Sequence, residues 1–217
     1  MSIKSSIKTV LTLEQGVAGG IPDAAKDGDP IELFGTWFEA ARESGIVLPE
    51  AVTLATASPE GLPSARMVLL KSADARGFVF FTNYGSRKAD ELEANPNAAL
   101  CFHWAAHQRQ VRVSGTVERV SEAESLAYFQ TRALGSQIGA WASQQSRPLW
   151  DRTALEQRVR ELRAELPKED VPLPPFWGGY RIDAKVIEFW QGRADRLHDR
   201  LVFTREADSW STQRLYP

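Results

Sequence analysis

The alternation of hydrophobic and polar positions predicts a helix near the N-terminus and then a series of short strands. Asp29-Pro30 places an N-cap residue before a proline at the first helical position, and apolar residues recur at helical spacing from there to about Gly45. From Ala51 onward the period changes to two, and turn sequences at 58–61 and 74–77 separate the β-type runs. Connections this short are typical of antiparallel hairpins.

Helices are predicted between the later strands, so the expected fold class is mostly β with inserted helices (α+β). The predicted strands cover 52–57, 63–71, 78–83, 98–103, 108–120 and a final group from Tyr180 to Trp210. The predicted helices after the first one cover 87–94, 121–132, 136–142 and 153–166. Strands at this spacing predict a closed or nearly closed antiparallel barrel decorated by helices. Residues 1–28 are predicted to form a flexible N-terminal arm, and residues 29–217 a single domain.

The composition excludes several classes of function. The 217 residues carry 26 basic and 28 acidic side chains, a net charge of -2, so no global positive field points to nucleic acid or to an anionic membrane. Cys101 is the only cysteine and the three histidines lack metal-ligand spacing, so we expect neither a disulfide framework nor a metal site. The N-terminal segment has no apolar stretch of signal-peptide or membrane-span length, which predicts a cytoplasmic protein.

A cationic stripe follows Trp190 near the C-terminus. In an extended strand Arg196, His198 and Arg200 share one face, because side chains alternate between the two faces of a strand. Such a face can hold a planar anionic ligand, or it can be a solvated sheet edge whose charges discourage pairing with other chains. The stripe alone does not decide between these alternatives.

Three further polar clusters interrupt apolar segments. Arg66 and Lys71 lie on opposite faces of a regular strand, so both contact one ligand only at an edge, a bulge or a subunit interface. Residues 82–88 predict a strand, a loop and a helix start with two adjacent cations, an arrangement that favours a phosphate. Residues 137–146 supply amide and hydroxyl groups. Each cluster also has a simpler interpretation, as a solvated strand face, a solvated pair of cations or a plain loop.

Five sequence blocks that occur together and in order carry a family resemblance. They are Arg66-Met-Val-Leu-Leu-Lys71, Phe81-Thr-Asn-Tyr-Gly-Ser-Arg-Lys88, Ser136-Gln-Ile-Gly-Ala-Trp141, Phe176-Trp-Gly-Gly-Tyr180 and the segment from Glu188 to Arg200. With them the chain resembles the pyridoxine/pyridoxamine 5'-phosphate oxidases from about Pro30 to Pro217. The resemblance implies an FMN-binding split antiparallel β-barrel and a homodimer with FMN at the subunit interface.

The resemblance also implies which residues form the site. FMN contacts would fall on Arg66, Met67, Val68, Leu69, Leu70, Lys71, Phe81, Thr82, Arg87, Lys88, Gln110, Gln145, Ser146, Trp190 and Arg200. Substrate contacts would fall on Lys71, Tyr128, Arg132, Ser136, Arg196 and His198. Of these, Arg196 and His198 are the candidate catalytic residues, which would lie over the substrate ring on the side away from the flavin.

The implied reaction is oxidation of the 4′ carbon of a phosphorylated B6 vitamer. Hydride would pass to FMN and electrons then to O2, giving pyridoxal 5'-phosphate and H2O2. The protein would contribute to catalysis by orienting the substrate, because cations that bind both phosphates would hold the substrate carbon against the cofactor.

The match is incomplete at the N-terminus. Family members carry an Arg-x-x-Tyr arm that closes over the substrate, whereas the corresponding positions here are Leu13 and Gly16, which cannot hydrogen-bond through their side chains. Two alternatives therefore stay open: a split-barrel flavin oxidase acting on another reduced aromatic, as in the phenazine pathway, and a non-catalytic module that binds flavin. The substrate-phosphate residues argue against the second alternative, because a storage module does not need a second phosphate pocket.

Overall fold

The computed structural model of the protein describes residues 20–207 and 209–217. Leu13 and Gly16 lie outside the described residues. The described strands are β1 (Ala51–Ala57), β2 (Pro63–Asp74), β3 (Gly77–Asn83), β4 (Asn97–Trp104), β5 (Arg109–Arg119), β6 (Trp177–Gln191), β7 (Asp199–Glu206) and β8 (Ser209–Leu215). The described α-helices are α1 (Pro30–Glu43), α2 (Arg87–Ala94), α3 (Glu122–Gln130), α4 (Leu134–Ala142) and α5 (Arg152–Glu165).

Six of the strands close into an antiparallel barrel. The strand order is β3-β2-β1-β4-β5-β6, and β3 also pairs with β6, which closes the ring. Strands β7 and β8 extend the sheet from β6. The predicted class, mostly β with inserted helices built on a split antiparallel barrel, is confirmed.

Strand β6 is the place where the barrel splits. Residues 177–182 pair with β3, and residues 186–191 pair with β7 instead. Along its other edge β6 pairs with β5 from Tyr180 to Gln191. One 15-residue strand therefore serves both the barrel and the C-terminal extension.

Helix α1 forms where the pattern predicted it. The Asp29 carboxylate accepts a hydrogen bond of 2.7 Å from the backbone N–H of Ile31, and Pro30 occupies the first helical position. Phe34 and Trp37 are buried on its inner face. The helix ends at Glu43, two residues before Gly45, whose φ of +75° lies in the left-handed region that glycine tolerates best.

Two apolar clusters hold the fold together. The larger one fills the barrel and is built from inward-facing residues of β1 to β7 with the buried face of α1. The smaller one consists of Phe129, Ala140, Val171 and Trp177, and it fastens α3 and α4 to the start of β6. The smaller cluster matters for function, because it supports the wall of the cavity described below.

The stripe predicted near the C-terminus does not form on one strand, so that prediction is wrong in its geometry. Strand β7 begins only at Asp199, and Arg196 ends a short 3-10 turn. Asp195 and Arg196 have φ values of 56° and 59°. Two consecutive left-handed residues break the alternation of an extended chain, and so Arg200 alone of the three stripe residues belongs to a strand.

Residues 20–28, which fall within the predicted arm, contact the C-terminal hairpin. Ile21 is buried, and its N–H donates to Asp199 Oδ2 over 3.1 Å while its carbonyl accepts from Arg214 Nη2 over 2.7 Å. A short 3-10 helix follows at Asp23–Asp27. The division of the chain into an arm and one domain stays a prediction.

Membrane-spanning helices and metal-binding groups are both absent from the described residues. Within 20–207 and 209–217, no helix is long and apolar enough to cross a membrane. The same part of the chain contains no group of three or more His, Cys, Asp or Glu side chains that could hold a metal ion. Cys101 is half-buried on β4, and burial raises the pKa of its thiol.

Candidate active site

A cavity of about 430 Å³ opens beside β2, β3, α3 and α4. The predicted substrate contacts that line it are Lys71, Tyr128, Arg132 and Ser136. The predicted FMN contacts that line it are Met67, Val68, Leu69, Lys71, Phe81, Thr82, Lys88 and Gln145. The remaining lining residues are Asn83, Gly139, Ala140, Ser143 and Trp177. The structure thus brings some of the predicted substrate contacts and some of the predicted FMN contacts into one space.

A β-bulge lies at the cavity edge of β2. The pairing of β2 with β3 shifts between Leu70 and Ser72, so Lys71 is the extra residue of the bulge. Its Nζ lies 5.7 Å from the centroid of the Tyr128 ring, within the range of a cation–π contact. Lys71 lines the cavity whereas Arg66 does not, in line with the opposite strand faces predicted for them.

Lys88 is a buried cation in the first turn of α2. Its Nζ donates to Thr82 Oγ1 at 3.0 Å, Ser86 Oγ at 3.1 Å and Gln145 Oε1 at 2.9 Å, all of them neutral acceptors. Burial lowers the pKa of Lys88 to about 8, and repulsion from Arg66 adds to the shift. An anion in the cavity would stabilise the charged form of this side chain.

Arg132 is a half-buried cation of the cavity. It follows the last turn of α3, and its guanidinium carbon lies 4.8 Å from the centroid of the Trp177 ring. Its Nη1 is buried and has no hydrogen-bond partner among the described residues. Burial lowers the pKa of Arg132. A buried guanidinium nitrogen without a partner is costly, and an anionic ligand such as a phosphate would satisfy it.

Three stacked aromatic rings form a wall of the cavity next to these cations. Phe81 stacks on Tyr128 with ring centroids 4.1 Å apart and on Trp177 with centroids 5.5 Å apart. The planes are tilted by 24° and 12°, so the rings are close to parallel. Packing between α3 and the barrel explains part of this arrangement. The same wall also suits a planar heteroaromatic ligand whose phosphate reaches the cations.

Several predicted FMN contacts lie outside the cavity lining. Arg66 and Arg87 both bind the buried carboxylate of Glu91, with N–O distances of 3.2 Å and 2.9 Å. Leu70 is buried in the barrel core. Ser146 directly follows the lining residue Gln145 in sequence and has a φ of 69°.

A second group of predicted residues gathers at the other end of β6. Gln110, Trp190 and Arg200 are cross-strand neighbours on β5, β6 and β7. The Trp190 and His198 rings lie 4.6 Å apart between centroids. Arg200 Nε donates to Glu188 Oε1 over 2.8 Å, and this bond raises the pKa of Arg200.

His198 and Arg196 occupy the turn next to this group. His198 Nδ1 accepts a hydrogen bond of 3.1 Å from the backbone N–H of Arg193, so its other ring nitrogen carries the proton when the ring is neutral. Arg196 is exposed on the turn. A turn, rather than a shared strand face, therefore brings His198 next to Trp190.

The two groups do not meet within one chain. Trp177 lines the cavity and Trp190 belongs to the second group, and the two are 13 positions apart along continuous β6. At about 3.3 Å per residue this corresponds to up to roughly 40 Å along the strand. No hydrogen bond, ion pair or ring contact joins the groups in residues 20–207 and 209–217.

The sequence-based set of contacts missed some residues of the site. Trp177 belongs to one of the five quoted blocks, and its place in that block was the signal that could have found it. Glu91 lies four residues after Arg87, the spacing at which helical side chains form ion pairs, and this spacing could have pointed to it. Asn83 belongs to another of the quoted blocks and Ser143 to the polar cluster 137–146, and the two meet because Asn83 Nδ2 donates to the Ser143 carbonyl over 3.0 Å.

A barrel that splits at β6, with a cation-lined cavity beside its β2–β3 hairpin, defines the class of flavin-binding split barrels. A solved protein of this fold is the pyridoxamine 5'-phosphate oxidase-related, FMN binding protein of Nostoc punctiforme PCC 73102. It matches with a TM-score of 0.73 and 19% identity over 88% of this chain and 99% of that one. The PhzG protein of Burkholderia lata 383, solved in complex with tetrahydrophenazine-1-carboxylic acid, matches with a TM-score of 0.86. The identity is 32% over 93% of this chain and 100% of that one.

Sequence comparisons give the family within this class. The family model described as pyridoxamine 5'-phosphate oxidase matches residues 38–165, and a model described as the pyridoxine 5'-phosphate oxidase C-terminal dimerisation region matches residues 177–217. The pyridoxine/pyridoxamine 5'-phosphate oxidase of Psychromonas ingrahamii is 54% identical over the full length of both chains. That of Rubrobacter xylanophilus is 57% identical over 91% of each chain. The chain belongs to the pyridoxamine 5'-phosphate oxidase family of oxidoreductases.

Proposed function

We propose that this enzyme oxidises pyridoxamine 5'-phosphate and pyridoxine 5'-phosphate to pyridoxal 5'-phosphate, with FMN as cofactor and O2 as electron acceptor. The alcohol and O2 give the aldehyde and H2O2, whereas the amine also consumes one water and releases ammonia. The observation that carries the proposal is the cavity in which Lys71, Lys88 and Arg132 surround an aromatic wall. The names of the relatives that match the whole chain support the same substrates.

The cavity residues fit FMN and a phosphorylated substrate. Lys88 has only neutral hydrogen-bond partners and Arg132 has a buried nitrogen with none, so each favours an anion. We assign Lys88, with Thr82 and Gln145, to the phosphate of FMN, and Arg132, with Lys71, Tyr128 and Ser136, to the phosphate of the substrate. Bound FMN would supply the two-electron acceptor for hydride removal from the 4′ carbon and the route of these electrons to O2.

The described residues contribute orientation rather than covalent chemistry. Two phosphate groups held by separate cations leave a substrate ring little freedom to turn, and this restriction lowers the entropic part of the barrier. The stacked wall of Phe81, Tyr128 and Trp177 excludes water from one side of the cavity. We assign Arg196 and His198 to the opposite face of the substrate ring, where they would hold the reacting carbon toward the cofactor.

We further propose a homodimer in which each site combines the cavity of one subunit with the Trp190 and Arg200 group of the other. The match of residues 177–217 to a dimerisation region supports this arrangement. The separation of the two groups along β6 supports it as well. Met67 and Leu69 beside the cavity are exposed by 61% and 38% in the single chain, and a partner subunit would cover such apolar surface.

The test is a spectrum of the purified protein followed by titration with pyridoxamine 5'-phosphate in air. We expect a flavin spectrum, bleaching of the flavin absorbance when substrate is added without oxygen, and stoichiometric oxygen consumption and H2O2 release in air. A protein that stays colourless after incubation with FMN would contradict the cofactor assignment, and a flavin that pyridoxamine 5'-phosphate does not reduce would contradict the substrate assignment.

A second candidate substrate is a reduced phenazine precursor. The PhzG match at 32% identity favours it, as does the replacement of the Arg-x-x-Tyr arm by Leu13 and Gly16 in the sequence. The identities of 54% and 57% to the named pyridoxine/pyridoxamine 5'-phosphate oxidases favour the first candidate. Turnover measured with both substrates on the same preparation separates them, because we expect a far higher kcat/KM for pyridoxamine 5'-phosphate.

A further inference from the structure

A buried glutamate lies behind the cations at the start of α2. Glu91 is 7% exposed, and its carboxylate accepts hydrogen bonds from four side chains. Oε2 accepts from Thr56 Oγ1 and Ser64 Oγ, both at 2.5 Å, and from Arg66 Nη2 at 3.2 Å. Oε1 accepts from Arg87 Nε at 2.9 Å. Every donor that Glu91 meets thus comes from β1, β2 or its own helix.

The carboxylate is ionised over the whole working pH range. Burial raises the pKa of Glu91, but the hydrogen bonds from Ser64, Thr56, Arg87 and Arg66 outweigh it and bring the pKa to about 2. The carboxylate therefore stays negatively charged at every pH in this range. It lies within one turn of Lys88 and is bonded to both arginines, so three cations share one fixed counter-charge.

The two arginines depend on Glu91 to different degrees. Arg66 has further anchors, since Nη1 donates to Thr56 Oγ1 at 2.5 Å and Nη2 donates to Ser64 Oγ at 2.5 Å. The side chain of Arg87 is 67% exposed, and Glu91 is its ion-pair partner among the described residues. Without the carboxylate, Arg87 would lose its fixed position, because a long exposed side chain populates many rotamers.

We propose that Glu91 is a positioning residue of the FMN site, which holds Arg66 and Arg87 on one side of the phosphate while Lys88 holds the other. The inference rests on the proposed function, because it takes the phosphate of FMN as the ligand of these cations. Glu91 itself carries a negative charge that a phosphate would repel, and its carboxylate accepts from protein donors, so it acts through the arginines. In the protein without FMN, the carboxylate also offsets the mutual repulsion of the cations, which would otherwise move their side chains apart.

The test compares the affinities of FMN and riboflavin for the apoprotein, measured by quenching of flavin fluorescence. Riboflavin lacks the phosphate, so the ratio of the two dissociation constants isolates the phosphate contribution. We expect Glu91→Ala to weaken FMN binding by about tenfold or more, the order expected for a lost charge-assisted hydrogen bond. Riboflavin binding should stay near the wild-type value. Glu91→Gln, which keeps an oxygen acceptor but loses the charge, should lie between Glu91→Ala and the wild type.

Glu93→Ala is the matched control. Glu93 belongs to the same helix and also binds an arginine, but the partners of its half-exposed side chain are Arg119 at 2.8 Å and the Tyr180 hydroxyl at 2.9 Å rather than the FMN cations. Its replacement should leave the FMN-to-riboflavin ratio unchanged. Thermal unfolding of each apoprotein shows whether the variants are folded, and riboflavin binding reports on the rest of the cavity.

The outcomes separate the two levels of inference. If FMN and riboflavin affinities fall together in Glu91→Ala, the residue is merely structural and the positioning role is wrong. An unchanged or tighter FMN affinity in that variant would overturn the role as well. If the wild-type protein itself binds FMN and riboflavin equally, the phosphate site fails, and the proposed function fails with it.

Discussion

The cations of the candidate site differ in the partners that stabilise their charge. Lys88 is buried and donates to neutral acceptors, and Arg132 is half-buried with one buried nitrogen that has no hydrogen-bond partner among the described residues. Arg66 and Arg87 instead pair with the carboxylate of Glu91. A phosphate ligand would complete the first pair in the way that Glu91 completes the second.

The pKa of Lys88 makes FMN affinity depend on pH. Burial lowers this pKa to about 8, and a bound phosphate favours the protonated side chain, so FMN binding should weaken as the pH rises through about 8. The charged groups that act on Lys88 are Arg66 and Glu91, and both keep their charge in this range. Dissociation constants measured from pH 6.5 to about 9.5 test this expectation.

The control for this pH dependence is Lys88→Met, which removes the titrating group and keeps a similar apolar stem. This variant should bind FMN more weakly at pH 7 and show no decline centred near pH 8. An equal decline in the variant would assign the pH dependence to another group.

At the scale of secondary structure, the hairpin of β2 and β3 depends on one glycine. Gly77 has a φ of +134°, and a Cβ added there would lie 2.1 Å from the Ile182 carbonyl oxygen. This close approach occurs because β3 pairs with β6 directly after the turn. The same hairpin carries Lys71 and Phe81 to the cavity, so the glycine supports the site as well as the barrel.

Gly77→Ala should therefore lower the free energy of unfolding by about 2–4 kcal/mol, from the backbone strain and the clash together. Gly35→Ala is the matched control, because Gly35 is exposed on α1 and a Cβ there meets nothing within 4 Å. That change should stabilise the protein by up to about 1 kcal/mol through helix propensity. Urea unfolding of both variants checks the pair, and a Gly77→Ala protein as stable as the wild type would show that the turn can relax.

At the scale of the whole molecule, the course of β6 separates the cavity from the Trp190 and Arg200 group. The strand leaves β3 after Ile182 and joins β7 from Val186 onward, so it carries Trp177 and Trp190 to its opposite ends. The homodimer proposed above would bring the two groups together, since two-fold symmetry would build two equivalent sites at once.

Mixing two inactive variants tests this shared site. Arg132→Ala removes a cavity residue and Arg196→Ala removes a residue of the other half, and we expect each variant alone to have little turnover, with flavin still bound in Arg196→Ala. After denaturation and refolding together at equal amounts, about half of the dimers are mixed, and each contains one intact site. Turnover should then recover to about a quarter of the wild-type value. The absence of recovery, with mixed dimers verified by differently tagged subunits, would mean that each site lies within one chain.

Local signals in the sequence predicted secondary-structure elements well where the formation of an element depends on neighbouring residues. Asp29-Pro30 begins α1, and Ser121 with Glu124 forms a capping box at the start of α3, since these caps need only residues within one turn. The stripe failed for the opposite reason. Asp195 and Arg196 adopt left-handed conformations although neither residue is glycine, and no local sequence pattern predicts these conformations.

The sequence by itself determined the class of fold, the family and most residues of the cavity, because these follow from periodicity, capping and ordered motifs. Only the tertiary structure decided that Lys88 is buried among neutral acceptors, that Arg66 and Arg87 share Glu91, and that β6 carries Trp177 and Trp190 at opposite ends. These features depend on which distant segments pack together when the barrel closes. Burial and charge at a site follow from that packing, and the local sequence does not contain it.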